Sequence, residues 1–432
     1  MRFNTLDQWL EWQTVLHGKA IELGLERVRQ VAHSLALKRI ARQVIIVAGT
    51  NGKGSTVAAY EHWLRRAGFD VASYTSPHLL RYNERIKHNQ QPVDDAALCR
   101  AFDAVEQARG EISLTYFEFG TLAALYLMQQ WQPDYAILEV GLGGRLDAVN
   151  IIDADLVHLT PIGIDHQAWL GNDREQIGLE KAGVLRDGVN VILNDQDPPA
   201  SVLREIDRRH CHYLRFGKDY DLHDIDGGQA DWRMADLQFR LDNVLPGEHQ
   251  LFNLAGVVAG LTCLLDLATW DSQRVGENFH GLQIAGRLQQ VASPLSARLF
   301  VDVGHNPDAA RVLAKSLSGL KSKPGQLVVL LGMLEDKQPD RFVEALKAVV
   351  DQWWLTSLDC DRGLSADALA ARIGSTIEIE KCFDSVPLAL DHALSSLGNQ
   401  DIMLVTGSFV TVEHLLRALP HSGKLNNYGS KH

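Results

Sequence analysis

The sequence predicts an α/β protein built in two parts, each a mostly parallel sheet clothed in helices. Three observations predict it. The chain has 432 residues, more than one growing core absorbs, so two domains are expected. Short apolar runs at 44–48, 70–75, 134–140, 155–160 and 190–194 alternate with stretches of helical period, the pattern of a parallel sheet covered on both faces. That alternation stops over 212–250, which is polar and irregular, and a second alternating series starts near Arg287. The expected division is 1–283 and 284–432, with the boundary around His280-Gly281 and Gly286-Arg287.

Taken in order, residues 5–16 space Leu6, Trp9, Leu10 and Leu16 along one helix face, with Asn4 or Thr5 as its cap. Residues 44–56 then read as an apolar run, a glycine-rich turn holding Lys53, and the hydroxyls Ser55 and Thr56 opening a helix near 55–67. That order makes a phosphate cradle. A buried strand fixes the loop, the glycines let backbone N–H groups converge, and the lysine adds a cation at an already electropositive helix end. A strict P-loop has glycine where Val47 stands and a hydroxyl where Gly54 stands, so the match is compact rather than literal. It still predicts a bound nucleoside triphosphate, held by Thr50, Asn51, Gly52, Lys53, Gly54 and Ser55, and makes the larger domain P-loop-type. Helices are expected at 94–109, 117–130 and 173–185, a small antiparallel subregion within 212–250, and a helix at 251–268. Strands at 299–303, 327–331, 353–357 and 402–406 give a smaller, doubly wound, Rossmann-like second domain. Ligands of such sheets gather at the carboxyl ends of the strands.

Acidic residues outnumber basic ones, 54 to 42, with no dense Lys/Arg block, which argues against nucleic acid and anionic membrane as partners. An anionic nucleotide then needs local cations, and Lys53, Arg287 and bound Mg²⁺ are the candidates. The five cysteines, at 99, 211, 263, 360 and 382, are odd in number and widely spread, so neither a disulfide nor a zinc framework is expected. The first residues lack the apolar core of a signal peptide and no run approaches membrane-spanning length. A cytoplasmic protein is expected.

Several strand ends carry candidate chemistry. The run 134–140 ends in Glu139, placed to hold Mg²⁺ near a triphosphate or, in the bland reading, to pair with a buried cation. The next strand leads into Asp165-His166, a metal ligand or a structural histidine. Ser76, in Thr75-Ser76-Pro77-His78, offers a hydroxyl to a metal or forms a plain Ser-Pro turn. Glu180-Lys181 reads as an exposed helical pair, or Lys181 reacts with CO₂ and becomes an anionic ligand for a second metal ion. In the second series, Asp302-Val303-Gly304-His305-Asn306-Pro307 can grasp a polar ligand while Asn306 caps a helix that starts at Pro307.

These segments, with Thr115-Tyr116-Phe117-Glu118-Phe119-Gly120, Gly332-Met333-Leu334 and Gly407-Ser408-Phe409, closely resemble the folylpolyglutamate synthases of the Mur-ligase superfamily, above all their bifunctional bacterial form with dihydrofolate synthase activity. The resemblance spans nearly the whole chain. It implies an ATP-dependent ligase that activates the carboxylate of dihydropteroate, or of a reduced folate, as an acyl phosphate and then joins it to the amine of L-glutamate. Carried over by residue, Ser76, Glu139 and His166 resemble the Mg²⁺ ligands and Lys181 the carbamylated lysine, with two Mg²⁺ ions expected and room for a monovalent cation. Asn253, Arg287 and Asp302 look like further nucleotide contacts. The pterin pocket would draw on Glu22, Leu23, Gly24, Thr115, Tyr116, Phe117, Glu118, Leu146, Asp147 and Ala148, with Phe117 stacking on the ring and Asp147 accepting its N–H groups. Lys53, His166, Lys181 and His305 are the catalytic candidates, His305 and Ser408 the candidates for incoming glutamate.

The resemblance further implies a monomer, with ATP between two lobes hinged near 280–287 and closure keeping water from the acyl phosphate. Two rivals remain at this stage: a ligase of the same superfamily acting on a cell-wall nucleotide peptide, and a nucleotide switch that makes no bond. Phe117 and Asp147 argue against the first, and the Asp302–Pro307 segment has no purpose in the second.

Overall fold

The Val-Ile-Ile-Val run becomes β1 (Gln43–Ala48), whose residues from Val44 onward are all buried, as a strand with neighbours on both edges and helices on both faces requires. The structure is a computed structural model that describes residues 1–226, 228–320 and 324–419. Two compact units emerge. The larger comprises Met1–His78, Tyr82–Val244 and Leu251–Leu282; the smaller comprises Leu79–Arg81, Leu245–Gln250 and the described residues from Gln283 onward.

In the larger unit β1 is joined by β2 (Val71–Tyr74), β3 (Ile86–His88), β4 (Gln91–Pro92), β5 (Tyr135–Glu139), β6 (Leu156–Leu159), β7 (Asn190–Leu193) and β8 (His212–Arg215), in the order β4-β3-β2-β5-β1-β6-β7-β8. From β2 to β8 the pairs are parallel; β3 and β4 close one edge antiparallel. The chain leaves β1 for one side, returns as β5 against it, and continues as β6 on the other, so β1 marks a switch point. Register sets the rim: Val47 lies opposite Glu139 on one side and His158 on the other. The loops after β1, β5 and β6 therefore leave the sheet at one level.

A separate antiparallel sheet, β11-β10-β9, is formed by β9 (Asp221–Asp226), β10 (Gln229–Met234) and β11 (Leu237–Asp242), the small subregion expected within 212–250. The helix after β1 runs Lys53–Arg66 and buries Thr56, Val57, Tyr60, Trp63 and Leu64. A second buried helix, Tyr116–Trp131, starts in a capping box: Thr115 accepts from the Glu118 N–H while the Glu118 carboxylate accepts from the Thr115 N–H.

The smaller unit has β12 (Gln289–Val291), β13 (Arg298–Val301), β14 (Leu327–Leu331), β15 (Gln352–Thr356), β16 (Lys381–Phe383) and β17 (Ile402–Thr406), ordered β12-β13-β17-β14-β15-β16. All pairs are parallel except β12 with β13. Its central strands β14 and β17 are almost wholly apolar because each face has its own core. Leu299, Val301, Met403 and Val405 join one cluster, while Phe300, Ile402 and Leu404 join the other. Among the described residues no helix is long and apolar enough to cross a membrane.

Candidate active site

The loop after β1 is shaped by two glycines, Gly49 and Gly52. Gly49 has φ +146°, and a Cβ there would lie 1.9 Å from Thr160 Oγ1. Gly52 caps the following helix at φ +89°, where a Cβ would meet Asn253 Oδ1 at 2.9 Å. A Cβ on Gly54 would sit 3.9 Å from both carboxylate oxygens of Glu139. The cradle, Glu139, Asn253 and Thr160 thus share one small volume. Thr50 locks the loop to the stretch that follows β6: its hydroxyl donates to the Gly163 carbonyl (3.1 Å) and accepts from the Gly163 N–H (3.0 Å). The Asn51 N–H donates to Pro161 O. Ser55 and Thr56 are buried in the helix's first turn, and Thr56 Oγ1 has no hydrogen-bond partner.

Two lysines converge on one carbonyl. Lys53 Nζ donates to Gly49 O at 3.1 Å and to Thr50 O at 3.3 Å, and Lys181 Nζ donates to the same Gly49 O at 2.8 Å. Lys181 is only 5% exposed. Burial, reinforced by the Lys53 charge, drags its pKa down to about 7. The exposed Glu180–Lys181 pair admitted from sequence does not form. Glu180 reaches Arg145 instead (2.8 Å), because successive helical residues point to different faces.

Glu139 is buried at the end of β5 and accepts the Ser76 N–H at 3.1 Å, so these two metal-ligand candidates meet. His166 begins the short helix Gln167–Leu170 with φ +52°, its ring 4.0 Å from the Asp165 carboxylate. Among the described residues no three His, Cys, Asp or Glu side chains group as a ready metal cage. The donors that are present do fit a hard cation: the buried Glu139 carboxylate stands beside the cradle, next to the Ser76 segment.

The segments expected around a pterin are also assembled. Phe117 lies against Gly141, where a Cβ would approach its Cζ to 2.5 Å, and its ring is 6.0 Å from that of Tyr74. Asp147, between Leu146 and Ala148, is buried and accepts from Leu142 N (2.8 Å) and Val149 N (3.0 Å). Burial outweighs those bonds and lifts its pKa to about 6. Tyr116 packs edge-on to Tyr82 (5.5 Å), beneath the Arg85 guanidinium. Glu22 and Glu118 are held by a residue the sequence reading missed: Arg27 donates to Glu22 Oε2 (2.6 Å) and to Glu118 Oε1 (2.9 Å). Leu23 is half-buried, and around Gly24 there is open space.

In the smaller unit, Asp302 is half-buried just past the end of β13 and accepts from Gly304 N (2.7 Å) and Leu288 N (2.8 Å). Burial raises its pKa against the pull of Arg287. Arg287 lies over the Phe409 ring (6.0 Å), and His305 Nδ1 is 2.9 Å from Val303 O. Asn306 caps the helix that starts at Pro307. Ser408 caps Phe409–Ala418, accepting from Thr411 N at 3.0 Å.

Comparison with known proteins decides the family. Residues 47–261 match the Mur ligase middle domain and 286–409 the Mur ligase glutamate ligase domain. A dihydrofolate synthase/folylpolyglutamate synthase of Escherichia coli K12 is 40% identical, covering 96% of this chain and 95% of that protein. The chain belongs to that family of Mur ligases. Among solved structures, Escherichia coli FolC in complex with DHPP and ADP superposes with a TM-score of 0.87 at 38% identity, covering 96% of this chain and 97% of the other. A bifunctional folylpolyglutamate synthase/dihydrofolate synthase with Mn, AMPPNP and L-glutamate bound gives 0.86 at 38% identity, over 96% and 98% of the two chains. The family resemblance read from the motifs and the α/β fold class are borne out, and this Mur ligase is an ATP-dependent ligase.

Proposed function

We propose that this Mur ligase joins L-glutamate to dihydropteroate, forming dihydrofolate, and to reduced folates, forming folylpolyglutamates. A carboxylate oxygen of the acceptor attacks the γ-phosphorus of ATP and ADP departs. The glutamate amine then attacks the acyl phosphate carbon, and phosphate leaves as the amide forms. The observation that carries this reading is the convergence of Lys53 and Lys181 on Gly49 O beside the Glu139 carboxylate. A cradle that needed only to hold nucleotide has no use for a second, buried lysine.

Lys53 supplies positive charge at the phosphates, where phosphoryl transfer needs positioning and neutralisation more than covalent help. Thr50, Asn51, Gly52, Gly54 and Ser55 cradle the nucleotide, with Asn253, Arg287 and Asp302 as its further contacts. Ser76, Glu139 and His166 hold Mg²⁺, which when bound neutralises the triphosphate. With its pKa near 7, Lys181 can present an uncharged amine that attacks CO₂ and sheds a proton, leaving a carbamate whose anionic oxygen would serve a second Mg²⁺. Phe117 and Tyr116 offer aromatic faces to the pterin, and the buried Asp147 takes its N–H groups while bracing the 141–149 turn. His305 and Ser408 serve the incoming glutamate. A cytoplasmic monomer completes the reading; all five thiols are free of disulfides, as a reducing compartment requires.

The deciding experiment incubates purified protein with ATP, Mg²⁺ and L-glutamate, with and without dihydropteroate. ADP release and dihydrofolate formation that both require dihydropteroate support the reading. Release indifferent to any acceptor makes the protein a nucleotide switch, and release requiring a muramyl peptide precursor makes it a cell-wall ligase. Continuous density beyond Lys181 Nζ in a nucleotide-bound crystal supports the carbamate; a bare ammonium removes it.

A further inference from the structure

The segment 17–25 joins the helices Leu6–Leu16 and Glu26–Ser34 without regular structure, and it carries Glu22, Leu23 and Gly24. Its order comes from one node. Glu22 accepts from Lys19 Nζ at 2.8 Å and Arg27 Nη1 at 2.6 Å, and its Oε2 lies 2.9 Å from His17 Nε2. Of these partners Lys19 is largely exposed, whereas Arg27 is only 25% exposed and also donates to the Glu22 backbone carbonyl at 3.1 Å. The same guanidinium crosses to a distant part of the chain, where Nη2 meets Glu118 Oε1 at 2.9 Å. Glu118 is 5% exposed, and its other oxygen is already committed to the Thr115 N–H. His17 adds a second tie, its Nδ1 3.0 Å from Ser113 Oγ.

We infer that Arg27 is a positioning residue for the pteroate acceptor: it clamps the 18–24 loop to the amino end of the helix Tyr116–Trp131. This inference rests on the functional reading above, which assigns both segments to the acceptor. The two carboxylates at this place are spent on Arg27 and on the helix cap, so the loop meets a ligand through its backbone around Leu23 and Gly24. Backbone recognition is only as selective as the loop is still. A planar fork with two bonds to one segment and one to the other fixes distance and angle together; a lysine ammonium at the same place keeps the charge but loses the fork. Arg27 Nε is buried with no hydrogen-bond partner, so the side chain stays under the loop for its two Nη groups rather than for a fully satisfied structural pocket.

The test compares wild type with Arg27→Lys and Arg27→Ala in the full-length enzyme. Expected for Arg27→Lys is a rise of about tenfold in KM for dihydropteroate, with kcat at saturation and KM for ATP within about twofold of wild type. Arg27→Ala shows a larger rise in the same constant, and if it fails to fold the lysine variant still decides. Hydrogen exchange accompanies the kinetics: amides of 18–24 exchange faster in Arg27→Lys, while those within the helix Tyr116–Trp131 do not change. An unchanged KM for dihydropteroate overturns the inference, as does a loss of kcat that merely follows a lowered Tm. Should wild type fail to extend dihydropteroate at all, the functional reading falls, and unchanged exchange at 18–24 then removes the clamp as well.

Discussion

The carboxyl rims of the two sheets are made from the same strand–turn–helix unit, and they end up electrostatically opposite. After β13 the turn holds itself: Asp302 accepts from Gly304 and Leu288, Asn306 caps its own helix, and Ser408, just past the neighbouring strand, caps another. After β1 the rim gathers charge. Two lysines point at one carbonyl, and a buried carboxylate stands beside the glycine that follows the first of them. The difference teaches where each unit stores its cost. The smaller unit's polar groups hold a shape before they meet any ligand, so changing them should cost stability as well as ligand contact. The larger unit's polar groups hold like charges together, and changing them should cost chemistry while sparing the fold.

The largest effect expected from this contrast is at Lys53 and His166. Lys53→Ala and His166→Ala should each lower glutamate-dependent ADP release by about a hundredfold or more with the fold intact, checked by circular dichroism. Near-normal turnover in either variant would strike that residue from the mechanism.

Next comes Lys181. Lys181→Arg keeps a cation that cannot lose its proton, and activity should drop by about tenfold to a hundredfold without rescue by bicarbonate. In wild type the amine becomes neutral as pH climbs through about 7, so activation by bicarbonate should increase from pH 6 to pH 8. The sign for stability agrees. The folded pKa lies below the unfolded one, the unfolded chain binds more protons between them, and stability gains with pH across that window. A bicarbonate response that is flat with pH would break the contrast at its most charged point.

Smaller effects belong to the other rim. Asp302→Asn replaces one of two backbone acceptors with a donor and should cost about 1–3 kcal/mol of stability by denaturant titration. Smallest is Ser408→Ala, which removes a helix cap worth about 1 kcal/mol. A lowered Tm together with a raised KM for glutamate would support both the cap and the proposed glutamate contact, and an unchanged KM would remove the contact.

Sequence made the strands legible because doubly covered strands are apolar on both faces, and each long run became one: 327–331 and 402–406 match β14 and β17 end to end. What escaped was short or polar. β3 and β4 hold three and two residues, and β12 three, so the antiparallel edges of both sheets carry no pattern long enough to read. The helix Ala200–Arg208 is absent from those expected, although its buried Val202 and Ile206 are four residues apart. The cradle was readable because its glycines and lysine are contiguous. Arg27 was not, because its two partners lie 5 and 91 residues away and nothing local distinguishes it from a solvated helix arginine. The burial of Lys181 was equally hidden, since it depends on Gly49, 132 residues distant.

Leu79 belongs to the smaller unit's core, in one cluster with Val301 and Val303, although it follows Ser76 by only three positions. The polypeptide therefore passes between the units more than once, and no single cut separates them cleanly. A truncated chain ending at 282 would leave that leucine without its apolar company and the stretch beyond Ser76 untethered. Such a fragment should be sticky and readily nicked by proteases near Arg81, even where its own sheet is sound.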